Sequence, residues 1–144
     1  MKSKLLSLLV VLTLVFSVSI GCKTIYNGTK LSIEVVETVC STALEAAASV
    51  LAAEGTQVFA IAVAQSCIES KIEDPETANA LGIIVAQAIP QLANGIAEIF
   101  SKKEYKEQFP RMKKIYRLTY YDYVNSNDFK KIVNQCVKDY QKLQ

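Results

Sequence analysis

The sequence predicts an all-α protein, a small bundle of four to five helices that follows a cleaved signal peptide. Three observations carry this expectation. Apolar residues recur at three- and four-residue spacing through most of the chain, no stretch alternates polar and apolar residues for long enough to form a strand, and capping residues stand between the periodic segments. The chain has 144 residues, 51% of them hydrophobic and 21% charged, which is a globular balance rather than that of a disordered chain. Removing residues 1–21 leaves 123, the size of one domain with one core.

The N-terminus explains why those residues are set apart. Lys2 and Lys4 form a short positive segment, and Leu5 to Ile20 is an apolar run of sixteen residues interrupted by Ser7, Thr13, Ser17 and Ser19. This is the layout of a secretory signal. A spanning helix needs about 20 apolar residues to cross about 30 Å of hydrocarbon, and this run is shorter.

The run ends in Val18-Ser19-Ile20-Gly21-Cys22, which resembles the lipobox of bacterial lipoproteins. The resemblance covers the leader only. It implies that the Cys22 thiol takes a diacylglyceryl group, that cleavage falls before it, and that Cys22 becomes the first residue of an exported chain. Such a chain is anchored to a bacterial cell membrane, the outer one in a Gram-negative host. Ser19 departs from the pattern, because that position usually holds Leu or another larger apolar residue. Ordinary secretory cleavage is the alternative, since Ser17-Val18-Ser19 and Ser19-Ile20-Gly21 both have the small-x-small pattern. It would release a soluble, disulfide-bonded helical protein with four cysteines, whereas lipidation leaves three. Residues 22–30, with the turn dipeptide Asn27-Gly28, read as a polar tether close to the lipid, and 31–144 as a single helical domain.

Within that domain the first helix is expected over 31–54, where Ile33, Val36, Cys40, Ala43, Leu44, Ala47, Val50 and Leu51 share helical spacing. Gly55 is placed to end it and Thr56 to cap the next. The second helix, Gln57 to Lys71, is apolar nearly all round from Val58 to Ala64, the pattern of a central helix. Glu73-Asp74-Pro75-Glu76 is the strongest boundary in the chain: Asp caps, Pro suits the first helical position, and Glu complements the helix dipole.

A third helix carries Leu81, Ile84, Val85, Ala88, Leu92, Ile96 and Ile99 on one face, with a kink expected at Pro90. Beyond Ser101 the composition turns Lys- and Tyr-rich, and Phe109, Met112, Tyr116, Tyr120 and Tyr123 keep helical spacing. Asn125-Ser126-Asn127-Asp128 is a turn rich in capping residues. The last helix sets Phe129, Ile132, Val133, Cys136, Val137, Tyr140 and Leu143 against Lys130, Lys131, Lys138 and Lys142.

Charge divides the chain in the same place. Residues 30–100 hold nine acids against two bases, and 101–144 hold eleven bases against five acids. The two halves attract one another, and any surplus basic surface suits an anionic partner. The residues that point to such a surface are Lys113, Lys114, Arg117, Lys130 and Lys131, interleaved with tyrosines. Outside the cytoplasm the anionic partners at hand are phospholipid head groups and acidic envelope surfaces, not nucleic acid.

Candidate chemistry is sparse. The chain contains no His, so the commonest general base and metal ligand are both missing, and it has no Gly-rich phosphate loop or nucleophile motif. Glu34, Glu37, Glu45 and Glu69 read as a solvated acidic face, without the Glu-x-x-His pairs of a helical di-metal site. No catalytic residue, metal site or cofactor is expected. In a hairpin turning at Gly55, Cys40 lies fifteen residues before the turn and Cys67 twelve after it. The offset of three residues is about 4.5 Å of rise, which makes a Cys40–Cys67 disulfide reachable, with Cys136 left over. Buried free thiols are the competing expectation. The function this supports is a non-enzymatic envelope module held by its lipid, with a phage- or plasmid-type exclusion or lysis lipoprotein as the alternative.

Overall fold

The computed structural model describes residues 31–102 and 119–143. The segments expected as signal peptide (1–21) and tether (22–30) lie outside the described residues. Four long helices pack together: α1 (Ile33–Ala52), α2 (Gln57–Lys71), α3 (Pro75–Ser101) and α4 (Asn127–Lys142). Residues 119–124 are also helical and lead into α4. The fold is all-α, as the spacing predicts.

The helix ends fall where side chains satisfy the first free amides. Ser32, Thr56, Asp74 and Ser126 cap α1 to α4, each accepting from the backbone N–H three residues on, at 3.3, 3.1, 3.2 and 3.2 Å. The end of α1 differs in detail from expectation. Glu54, not Gly55, takes the left-handed conformation, at φ 62°. Its N–H donates to the Leu51 carbonyl at 3.1 Å and that of Gly55 to Val50 at 2.8 Å, a Schellman closure. Gly55 is required for room: a Cβ there would meet the Val50 side chain and sit 2.8 Å from its carbonyl oxygen.

The central helix is α1, and this corrects the expectation for α2. Eleven of the 20 residues of α1 are buried, among them Ala43, Ala46, Ala47, Ala48 and Ala52, and it packs on α2, α3 and α4. Small side chains let the neighbouring helices approach on several sides. By contrast α2 buries only Ala60, Val63, Ala64, Cys67 and Ile68 and leaves Val58 78% exposed. An apolar composition around α2 did not specify its neighbours.

Pro90 leaves α3 a single helix of 27 residues, its ring on the exposed side. By length and composition both α1 and α3 are long and apolar enough to cross a membrane. In the bundle, 61% of the apolar window of α1 and 44% of that of α3 are buried against protein. α4 lays its apolar stripe, Phe129 to Tyr140, on α1 and α3, while Leu143 stays 63% exposed.

Candidate functional site

The seam between α1 and α4 brings together two cysteines, two glutamates and a lysine. Its floor is set by two stripes already visible as periodicity: Val36, Cys40, Ala43 and Leu44 on α1, and Phe129, Val133, Cys136 and Val137 on α4. Cys40 is fully buried, Cys136 is 2% exposed, and the two thiols lie within hydrogen-bonding reach of one another.

The cysteine expectation is corrected here. Cys40, Cys67 and Cys136 are all free thiols, and the neighbour of Cys40 is Cys136 rather than Cys67. Helix rise places two residues at one level, but rotation about each axis decides which side chains converge. The hydrogen bond to Cys136, reinforced by burial, holds the Cys40 thiol far above its ordinary range. The same bond lowers Cys136 against the effect of its burial. Cys67 is pushed up by burial, with Lys71 opposing and Glu45 adding to the shift.

Along the same seam a groove of about 320 Å³ opens. Glu37, Ser41 and Glu45 line it from α1 at four-residue spacing, and Lys130 and Asn134 from α4 at the same spacing. Glu34, Glu37 and Glu69 are exposed, in keeping with a solvated acidic face. Glu45 is half-buried, and burial raises its carboxyl above the usual range. Tyr120 is pushed up to about 12, first by burial and then by Glu45 and Tyr121. The groove therefore offers carboxylate acceptors, a hydroxyl, an amide and one ammonium group to a polar partner.

At the entry to α4, Tyr123 is 2% exposed and stands edge-on to Phe129, with ring centroids 5.9 Å apart. Its ring lies against Gly95 of α3, where a Cβ would fall 2.8 Å from the hydroxyl oxygen. The hydroxyl is buried without a hydrogen-bond partner, and burial, with Asp128 and Glu98, lifts it to about 12.

The predicted basic surface divides. Lys113, Lys114 and Arg117 lie outside the described residues, as does Cys22. Lys130 and Lys131 are both exposed on α4, and Lys130 lines the same groove as Glu37 and Glu45. A second cleft, about 570 Å³, lies where Leu51 and Gln57 of the α1–α2 turn meet Ile96 and Phe100 of α3. Sequence reasoning missed both the Cys40–Cys136 contact and the groove. The signal for each was present, because Cys136 lies on the apolar stripe and Glu37, Ser41 and Glu45 on one face, but helix pairing was needed to bring them together.

Among the described residues no cluster of three or more His, Cys, Asp or Glu side chains could hold a metal ion. No protein-family profile matches the chain, and no curated protein or solved structure is significantly similar to it.

Proposed function

We propose that the chain is a membrane-anchored bacterial lipoprotein whose helical domain serves as a non-enzymatic binding or structural module of the cell envelope. The observation that carries this reading is Val18-Ser19-Ile20-Gly21-Cys22 at the end of the apolar leader. Two or more acyl chains, at about 0.8 kcal/mol per buried methylene, would hold the protein firmly without a spanning helix. From Cys22 to the α1 cap at Ser32 is ten residues, at most about 35 Å of extended chain. The domain would therefore work close to the membrane surface, with Lys130 and Lys131 available to anionic head groups or acidic envelope proteins.

Intact mass of the membrane-fraction protein, beside Cys22→Ser and with a fatty-acid analogue as label, tests the anchor. The expected result is a mature chain that begins at Cys22 and carries acyl mass, both lost in the variant. An unmodified N-terminus at Ile20 or Cys22 would replace this reading with that of a soluble secreted protein. Changing Lys113, Lys114, Arg117, Lys130 and Lys131 to Glu should abolish any salt-sensitive binding to anionic vesicles, and unchanged binding would remove the basic surface from the proposal.

A further inference from the structure

The strongest unassigned feature is the thiol pair that joins the first helix to the last. We infer that Cys40 and Cys136 form a disulfide-forming site: in contact with a disulfide oxidant, the folding chain converts this pair, and not Cys40 with Cys67, into a cystine that ties α4 to α1.

The geometry supplies the pairing. Both thiols are buried, each is the nearest thiol acting on the other, and the two helices that carry them pack directly on one another. Cys67, on α2, is separately buried, and it is shifted by that burial, then by Lys71 and Glu45, with no thiol acting on it. The topology also gives the link a use, since among the described helices α4 packs on α1 and α3. A bond between Cys40 and Cys136 closes a loop that contains α2 and α3 entire, which restricts the unfolded chain strongly.

The chemistry balances as thiol–disulfide exchange. The Cys136 thiolate attacks one sulfur of the oxidant, a small-molecule or protein disulfide, and expels its other half as a thiolate. A mixed disulfide on Cys136 results. Cys40 then gives up its proton, attacks the Cys136 sulfur and releases the second half of the oxidant. Two protein thiols are oxidised to one disulfide, one oxidant disulfide is reduced to two thiols, and the two protons end on the released thiols. Either thiol serves as the first nucleophile, since each is still accessible to the oxidant before the helices dock. Because both groups are buried in the docked bundle, the exchange takes place while α4 is still settling onto α1.

In the cell this inference rests on the proposed export of the chain, because an oxidising compartment must supply the oxidant. The pairing itself does not depend on export, and the two are tested separately. The full-length chain is unfolded in denaturant with reductant, refolded against a glutathione and glutathione-disulfide buffer, quenched by alkylation and mapped as peptides without reduction. A dominant Cys40–Cys136 peptide is expected, with Cys67 alkylated. Reduction should then lower the melting temperature by on the order of 10 °C, an effect lost in Cys136→Ser and kept in Cys67→Ser. A dominant Cys40–Cys67 or Cys22-linked peptide, or alkylated Cys40 and Cys136 after refolding, would overturn the inference. Acyl mass on Cys22 in the membrane fraction reports on export independently, so loss of one reading leaves the other standing.

Discussion

α1 and α4 both present an apolar stripe, yet they hold their places by different means. α1 is Ala-rich and packs on three helices, with Val36, Ala43, Leu44, Ala47 and Val50 essentially closed to solvent. α4 is Lys-rich and amphipathic, and it contributes one stripe to the bundle while Lys130, Lys131 and Lys138 stay in water. A helix clasped on several sides gains from every small residue that lets a neighbour approach. A helix clasped on one side depends on its few large side chains and on whatever pins its ends. The groove and the thiol pair lie at the junction of these two kinds of helix, with Glu37 and Glu45 lining it from α1 and Lys130 from α4.

Truncation at the centre should show the contrast most strongly. Leu44→Ala, in a fully buried position of α1, is expected to cost about 2–5 kcal/mol in denaturant unfolding. Leu143→Ala at the exposed end of α4 should stay within about 0.5 kcal/mol. Equal losses at the two sites would break the distinction between a central and a clamped helix.

The pin at the start of α4 comes next. Gly95→Ala places a methyl group against the Tyr123 ring and should cost about 1–3 kcal/mol, with the exposure of the Tyr residues read by fluorescence. Tyr123→Phe removes a buried hydroxyl that has no partner, so a gain of about 1 kcal/mol is expected at pH 7. The same change should blunt alkaline unfolding. Tyr123 is held near 12 by burial, so its contribution is present below pH 10 and lost as pH rises from about 10 to about 12.

The smallest effect concerns the groove. Burial raises the Glu45 carboxyl, which means the folded state favours its protonated form. Its stabilising contribution is therefore present below the ordinary Glu range and lost as pH rises through the raised value. Glu45→Gln should raise the melting temperature at pH 7 and flatten its rise toward acid pH. A lower melting temperature at pH 7 would mean that Glu45 acts chiefly as a partner for Lys130 and not as a desolvated acid.

Much of this architecture was legible in the chain. The α2 limits, the Asp74 and Thr56 caps, the α3 face and the α4 stripe up to Tyr140 follow from local spacing and capping, which depend on residues within a turn or two. Less was legible where partners come from far along the chain. α2 has the composition of a central helix but not the position of one. Cys40 was expected to meet Cys67 because those helices are joined by a short turn, and it meets Cys136 instead.

The sequence by itself determined the four long helices, most of their caps and the division of charge along the chain. Only the tertiary structure decided which helix is surrounded, which thiols face each other, and that Glu37, Glu45 and Lys130 share one groove. The reason is physical: a helix forms from interactions three or four residues apart, whereas its rotation and neighbours are set by the close packing of side chains from the whole domain.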